Sequence, residues 1–432
     1  MYQTKIALRS LIYRKTQYVS LFLVCMFGVA ISLAAISIST GMIRSLNQKA
    51  RIYYGGDFAL MCSVNDDGLE IFDYEEKLAL VKSVMPDDAV VTERMDFDAR
   101  HSSFYFEGTQ ALQQTIKGVK FANEADLISS FIFVEGGLDN LDDFAEGSNA
   151  VLISAPIAKM MNVHVGDEIT FQLETYDDYI NTVQVEVKGI FQDSSVFGMY
   201  TSYMDFDFLK EAYGRPKNFA NRICVNFNKR KITEKDLHSF YDSLSGVFNM
   251  YPWVDDKDDY IDATEDFKEE TWGFIPLSAN LNDVEIMELA MDAVISFIVV
   301  ILTIIIIAGI GSTYRVLIMK RITEIGIYMA VGMKKRSIIA TLLFESFLLL
   351  VAGCFAGLIL SGLLCSLLSV FDFSFIPSFD MFLEKGNLSP RMDVIKSVSV
   401  IVSVITVTLL AVLYSTLKSI KIMPVEALAV TE

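Results

Sequence analysis

The most informative stretch of the chain is residues 314–350, which read YRVLIMKRITEIGIYMAVGMKKRSIIATLLFESFLLL. Its first part is rich in basic residues, its last part is apolar, and apolar positions recur at near-helical spacing between them. A basic amphipathic helix of this kind can lie in a membrane interface as an anchor, or it can dock against another protein. The recurring positions are Ile322, Ile325, Met329 and Gly332–Met333, and the polar positions are Arg321, Glu324 and Lys335.

Four apolar runs are long enough to cross a bilayer, because a hydrocarbon core of about 30 Å requires roughly 20 residues of helix. They predict a membrane protein with four transmembrane α-helices and a large α+β domain between the first two. The predicted segments are an amphipathic helix (1–17), the first span (18–40), the large domain with its stalk helices (41–290), the second span (291–313), a connecting segment (314–337), the third span (338–370), a short loop (371–393), the fourth span (394–417) and a tail (418–432).

Charge is unevenly distributed along the chain. The net charge is −18, but residues 44–288 carry 21 basic and 45 acidic residues, whereas the remainder carries 15 basic and 9 acidic residues. An acidic polar domain joined to basic-flanked apolar segments argues against a soluble enzyme, a disordered chain and a nucleic-acid binder.

The basic residues also predict the orientation in the membrane, because they accumulate in short cytoplasmic loops. Both termini and the 314–337 segment are therefore predicted to be cytoplasmic, and the 41–290 domain and the 371–393 loop to lie outside. The first span is predicted to be a retained anchor, since its apolar core of about 20 residues exceeds the roughly 7–15 of a signal peptide. The basic residues concerned are Lys5, Arg9, Arg14, Lys15, Arg315, Lys320, Arg321, Lys334, Lys335, Arg336, Lys418 and Lys421.

The large domain shows an α+β pattern without long repeats. Strands are predicted within 89–106 and at 151–153, 168–174, 182–190 and 221–227. Helices are predicted at 154–161, with Ser154 as a possible N-cap, and at 204–213, before Gly214. An amphipathic helix at 281–292 runs into the second span, and the first span continues towards Lys49, so that two helices would form a stiff stalk.

Three features of this domain have two interpretations each. The acidic run 255–270 is interpreted as a solvated face, because its spacing does not match a calcium loop. The apolar segment Trp272–Pro276 is interpreted as core, with a membrane or partner contact as the alternative. Cys62 and Cys224 can pair in an oxidising compartment or remain free thiols, and no Cys/His cluster indicates a metal site.

Catalytic motifs are not found in the sequence. It contains no phosphate-binding loop, HExxH or GxSxG pattern, and His101, His164 and His238 are scattered. We therefore expect a non-catalytic membrane subunit without a cofactor of its own, so that any ATP and Mg²⁺ would be bound by a partner chain.

Several motifs, in order along the chain, resemble those of the FtsX-like permease family of ABC transporters, which includes lipoprotein-releasing and macrolide-exporting systems. Residues 151–171, VLISAPIAKMMNVHVGDEITF, resemble its MacB-like periplasmic core domain, whereas Tyr328 and Ala429 depart from its usual pattern. The ATPase-coupling motif is matched by Arg321, Glu324, Ile325, Gly326, Ile327, Ala330, Gly332, Lys334, Lys335 and Arg336, followed by Phe344-Glu345, and the tail motif by Pro424, Glu426, Ala427 and Leu428.

The resemblance implies a mechanism and a set of partners. Two permeases, identical or paralogous, would pair over cytoplasmic ABC ATPase subunits in a bacterial inner membrane. The coupling segment would receive ATP-driven motion, and the stalk would relay it to the outer domain, a process called mechanotransmission. Lipoprotein release, or export of another lipophilic or peptide substrate, is the expected function, since the chain shows no fused ATPase. The alternative is a non-transporting subunit that regulates a cell-wall hydrolase.

Two features of the third span add hypotheses about its packing and coupling. Glu345 is an intramembrane carboxylate, and we expect it to act in coupling with water access or a basic partner such as Arg336 or Lys335, or to be a local helix-end carboxylate. Gly353 and Gly357 form a small-xxx-small motif, which favours close helix packing either within one subunit or between two.

Overall fold

The computed structural model describes residues 15–64, 69–138, 140–193, 195, 197–228, 230–373, 375–376, 379–384 and 386–419. The chain divides into two compact units. The helical unit comprises Met1–Met42, Leu289–Phe371 and Leu388–Glu432, and the sheet unit comprises Ile43–Glu288 and Asp372–Asn387. The tail motif at 424–428 and the predicted N-terminal helix up to residue 14 lie outside the described residues.

The α-helices of the described residues include four that are long and apolar enough to cross a membrane, within 18–54, 289–320, 335–368 and 394–417. The helices α1 and α9 each continue from one unit into the other. The helices are α1 (Lys15–Tyr54), α2 (Tyr74–Val84), α3 (Phe121–Ile128), α4 (Ala155–Met161), α5 (Phe206–Tyr213), α6 (Glu234–Ser245), α7 (Lys257–Ala263), α8 (Leu277–Asn280), α9 (Asn282–Lys320), α10 (Ile322–Ala330), α11 (Lys335–Leu368) and α12 (Val394–Ser419).

The strands of the described residues all belong to the sheet unit. They are β1 (Phe58–Ser63), β2 (Ile71–Phe72), β3 (Val90–Asp98), β4 (Ser103–Phe106), β5 (Thr109–Leu112), β6 (Thr115–Val119), β7 (Phe133–Gly136), β8 (Ala150–Ser154), β9 (Glu168–Glu174), β10 (Ile180–Phe191), β11 (Thr201–Asp205), β12 (Phe219–Ala220), β13 (Arg222–Asn226) and β14 (Thr271–Pro276).

Most of these strands form one mixed sheet in the order β14-β1-β13-β3-β6-β11-β8-β10-β9-β4-β5, with β7 paired to β10. The pairs β6–β11 and β8–β10 are parallel, and the other pairs in this sheet are antiparallel. The strands β2 and β12 form a separate two-stranded sheet.

The large sheet is covered on both faces. Along β8, Val151 and Ile153 belong to one hydrophobic core, whereas Ala150 and Leu152 belong to another, as the two-residue period of a strand requires. The first core includes side chains of α2, α4, α5 and α6, and the second includes side chains of α3 and Ile52 of α1. The end of α1 is therefore part of the second core.

The helices predicted at 154–161 and 204–213 are confirmed as α4 and α5, with two local differences. The helix predicted at 204–213 begins at Phe206, because Met204 and Asp205 end β11 and the Asp205 carboxylate accepts hydrogen bonds from the backbone N–H groups of residues 207 and 208. Ser154 precedes α4, but its hydroxyl donates to the carbonyl of Met199 at 2.6 Å instead of capping the helix.

The structure also decides between the alternative interpretations of the Trp272–Pro276 segment and of the two cysteines. Trp272 is 1% exposed, which confirms that the Trp272–Pro276 segment is core. The acidic run forms α7, where the Asp256 side chain caps the helix and the buried Tyr260 hydroxyl donates to the carbonyl of Thr271. Cys62 and Cys224 are buried free thiols, and burial raises the pKa of each to about 12.

Gly353 and Gly357 face α1 of the same chain. A Cβ atom at Gly353 would lie 2.9 Å from the Cys25 sulfur, and one at Gly357 would lie 2.9 Å from the Met26 carbonyl oxygen. These distances are shorter than contacts that real Cβ atoms make, so the small-xxx-small motif lets α1 and α11 approach closely within one subunit.

We predict that Gly357→Ala destabilises the helical unit by about 1–3 kcal/mol, because the added methyl group meets the backbone of α1. Gly362→Ala on the same helix is the matched control, since nothing lies within 4 Å of its Cβ position. Thermal unfolding of the detergent-solubilised chain, followed by helical circular dichroism, measures the difference. Equal stability of the two variants would contradict this packing.

The sheet unit buries a charged cluster between its central strands. Lys117 on β6 is 2% exposed, and its ammonium group lies 2.8 Å from the carboxylate of Asp96 on β3. The same Asp96 carboxylate lies 3.1 Å from the Arg222 guanidinium. Burial lowers the pKa of Lys117 to about 8, although Asp96 opposes the shift. Below that pH, the folded protein therefore holds a buried cation.

The Lys117 shift predicts a pH dependence of stability. A lysine whose folded pKa is depressed is protonated more fully in the unfolded chain between pH 8 and 10, so raising the pH stabilises the folded state in this window. Relative to Lys117→Met, the wild-type free energy of unfolding should increase by about 2 kcal/mol from pH 8 to pH 10. Urea unfolding followed by tryptophan fluorescence measures this in the full chain, because both tryptophans, Trp253 and Trp272, lie in the sheet unit. A pH-independent difference would refute the assigned cause.

Candidate functional site

The site begins where α9 ends. Arg321 separates α9 from α10 and is 5% exposed, although its sequence position indicated a polar face. Its guanidinium contacts Glu345 on α11, with Nη1 2.6 Å from Oε2 and Nη2 3.4 Å from Oε1. The Glu345 side chain is 1% exposed, so the two charges form a buried ion pair.

Tyr18 completes this group from α1. Its hydroxyl accepts a hydrogen bond from Arg321 Nη1 at 2.9 Å and donates one to Glu345 Oε2 at 2.9 Å. The triad of Tyr18, Arg321 and Glu345 therefore joins α1, α11 and the junction before α10. Glu324 lies at its edge, 3.4 Å from Arg321 Nε.

The partner of Glu345 differs from the sequence-based expectation. Lys335 and Arg336 are exposed at the start of α11, ten and nine residues before Glu345. This separation corresponds to about 15 Å along a helix, too far for a direct ion pair. Arg321 is 24 residues away in sequence, and it reaches Glu345 because the chain turns back between α10 and α11.

The helix α10 has an inner and an outer face. Ile325 is buried and Met329 packs against the core of the helical unit. Val331, just beyond the helix, is 82% exposed, and Ile327 is 50% exposed. The exposed face comprises Ile327, Tyr328, Ala330 and Val331, followed by Lys334, Lys335 and Arg336.

Gly332 has a structural role at the end of α10. Its φ of +90° is a left-handed conformation that favours glycine, and the Met333 N–H donates back to the carbonyl of Tyr328. Gly332 therefore ends the helix and directs the chain into α11. Gly326 is buried on the inner side.

A small cleft lies between α10 and α11, and the ion pair forms part of its wall. Its other walls are mainly apolar, so a side chain entering it would meet both charges and apolar surface. The lining residues are Arg321, Glu324, Ile325, Tyr328, Met333, Ile338, Thr341, Leu342 and Glu345. Among the described residues, no group of three or more His, Cys, Asp or Glu side chains is placed to hold a metal ion.

We predict that Glu345→Ala destabilises the helical unit by about 3–5 kcal/mol, because it leaves the Arg321 guanidinium buried without its carboxylate. The double variant Arg321→Met with Glu345→Met should recover most of the loss, since it removes both charges. Glu324→Ala, whose side chain is 33% exposed, is the control and should change stability much less. Helical circular dichroism during thermal unfolding gives the comparison, and a double variant as unstable as Glu345→Ala would argue against the ion pair.

Two family models match the chain. "MacB-like periplasmic core domain" matches residues 22–235, and "FtsX-like permease C-terminal" matches residues 296–426. The second match contains the whole of α10, the triad residues Arg321 and Glu345, and the small-xxx-small motif.

Among solved structures, the chain is similar to the periplasmic region of MacB from Actinobacillus actinomycetemcomitans. The identity is 11%, the match covers 54% of this chain and 95% of that structure, and the TM-score is 0.34. No curated protein matches the chain.

The two family models match along most of the chain in the order that the sequence motifs indicated. The four apolar helices are consistent with the same assignment. The chain is thus a membrane protein with four transmembrane helices and a large extracytoplasmic domain, and it belongs to the FtsX-like and MacB-like ABC transporter permease family.

Proposed function

We propose that this chain relays ATP-driven motion from a separate ABC ATPase to its extracytoplasmic domain, in order to release a lipoprotein or to export another lipophilic or peptide substrate. Permeases of this family are generally non-catalytic and imply an ATPase partner. ATP and Mg²⁺ would be bound on that partner, and a second permease copy or paralogue would complete the assembly.

The observation that carries this proposal is the buried triad. A displacement of α10 that moved Arg321 away from Glu345 would unpair or expose a buried charge, which is energetically costly. Because Arg321 also contacts Tyr18 and Glu345, such a displacement would be passed to α1 and α11. Of these, α1 is an unbroken helix of 40 residues that ends inside the sheet unit.

The exposed face of α10 is the proposed contact for the ATPase. Apolar side chains beside three cations form a surface that can pack against another protein while the charges steer its approach. The basic residues also support a cytoplasmic location for this segment and both termini, with the large domain outside. Exposed apolar side chains of α9, such as Phe297 and Ile304, would suit a lipophilic substrate.

We predict that Val331→Asp abolishes co-purification of the ATPase, because it places a carboxylate on the proposed contact. Leu112→Asp, at a position 60% exposed in the sheet unit, is the matched control and should retain the ATPase. Mass spectrometry of the affinity-purified complex identifies the bound chains. If wild-type protein captures no ABC ATPase, the proposed function is wrong.

A second measurement tests the type of work performed. The purified complex in proteoliposomes that contain a membrane-anchored lipoprotein should release it when ATP is added, and Val331→Asp should not. Recovery of a cell-wall hydrolase that the complex activates with ATP, without any release or export, would instead identify the non-transporting alternative.

A further inference from the structure

The C-terminal end of α1 is held by an unusual set of partners inside the sheet unit. The last four carbonyl groups of a helix lack partners within the helix. Here the Arg51 carbonyl accepts from Gly55 and Gly56, and the Tyr54 carbonyl accepts from the Cys224 thiol at 3.6 Å. The two carbonyls between them, of Ile52 and Tyr53, accept hydrogen bonds from a single side chain.

That side chain is Arg94, which is fully buried on the central strand β3. Its Nη1 donates to the carbonyls of Ile52 and Tyr53 at 3.0 and 3.1 Å. Its Nε lies 2.9 and 3.0 Å from the two carboxylate oxygens of Glu124 on α3, and its Nη2 contacts the same carboxylate. One guanidinium therefore connects the end of α1 to a strand and to a second helix.

Neighbouring charges hold the same turn from other directions. The Lys117 ammonium group lies 3.8 Å from the centre of the Tyr53 ring, and the Tyr53 hydroxyl pairs with Thr115 at 3.3 Å. Arg51 contacts Asn226 at 2.6 Å and Asp57 at 3.0 Å. These partners lie on β6, on β13 and in the turn before β1, so that several strands hold one helical turn.

These contacts make the connection between the end of α1 and strand β3 stiff. The cation of Arg94 faces the negative end of the helix dipole, and its planar fork fixes direction as well as distance. Moving the helix end relative to β3 would leave Arg94 Nη1 and the carbonyls of Ile52 and Tyr53 without their partners, whereas apolar contacts alone would permit sliding.

We propose that Arg94, paired with Glu124, is a positioning residue that makes the end of α1 and the extracytoplasmic sheet move as one body, so that motion of α1 is delivered to the outer domain without loss. This inference rests on the proposed function and adds the place at which motion enters the domain.

The test uses the full-length permease with its ATPase in lipid nanodiscs. Spin labels at Arg44→Cys on α1 and Lys159→Cys on α4, both at exposed positions of the sheet unit, report the distance between helix and sheet by pulsed electron paramagnetic resonance. In otherwise wild-type protein, we expect one narrow distance that is the same without nucleotide and with trapped nucleotide. In Arg94→Met, we expect a broadened or nucleotide-dependent distance, unchanged ATPase binding and loss of ATP-driven substrate release.

The control is Arg100→Met, because Arg100 also pairs with a carboxylate, Asp98, but is 75% exposed. It should behave as wild type in both the distance and the release measurements. Tryptophan fluorescence during urea unfolding shows whether each variant is folded. If Arg94→Met does not fold, Arg94→Lys, which keeps a cation beside Glu124 but lacks the planar fork that reaches both carbonyls, decides the question by the same readouts.

A narrow, nucleotide-independent distance and normal release in the deciding variant would overturn the inference and leave Arg94 with a role in stability only. Failure of the proposed function itself would be seen in the wild-type complex. That complex would then show no nucleotide-dependent change in hydrogen exchange anywhere in its sheet unit.

Discussion

The carboxylate of Glu345 lies almost wholly out of contact with solvent, and the guanidinium of Arg321 is the cation beside it. Neither charge is stable there without the other, because desolvation of an isolated ion costs several kcal/mol. This constraint fixes the position of the junction between α9 and α10 against α11. The Tyr18 hydroxyl hydrogen-bonds to both charged groups, so α1 is held against the same ion pair. The exposed face of α10 is therefore presented by a backbone that the buried pair holds in place.

A second arginine–glutamate pair has a similar role in the sheet unit. Arg94 and Glu124 are buried, and Arg94 contacts the last turn of α1, whereas Arg321 contacts Tyr18 near the other end of the same helix. A bidentate or forked guanidinium holds its partners in one orientation, which an apolar contact does not. A buried arginine therefore contacts helix α1 near each of its ends. The role proposed for it requires that displacement at one end reach the other.

The sequence predicted the parts of this protein that depend on local patterns. Apolar length predicted the spans, two-residue alternation predicted strands such as β9, and the motif around Glu324–Ile327 indicated the family. It did not predict which charges meet. Arg321 and Glu345 are 24 residues apart, and Arg94 and Glu124 are 30 apart, so no helical or strand period connects them. Tyr18 gave no signal, because a tyrosine at the start of an apolar run is ordinary at a membrane interface. Ser154 occupies the N-cap position that was predicted for it, but its hydroxyl does not cap α4, because it donates to the distant carbonyl of Met199.

The strand that follows α1 and the strand that precedes α9 are hydrogen-bonded neighbours. The pairing of β1 with β14 runs from Phe58 opposite Pro276 to Ser63 opposite Thr271, and the Leu277 N–H adds a bond to the Asp57 carbonyl at the same end. Both helices therefore attach to the same end of one antiparallel ladder. A force that pulled α1 and α9 apart would break the β1–β14 hydrogen bonds one pair at a time, whereas a force that moved the two helices together would leave all of these bonds intact. The strand pairing therefore withstands joint motion of the two helices much better than it withstands their separation.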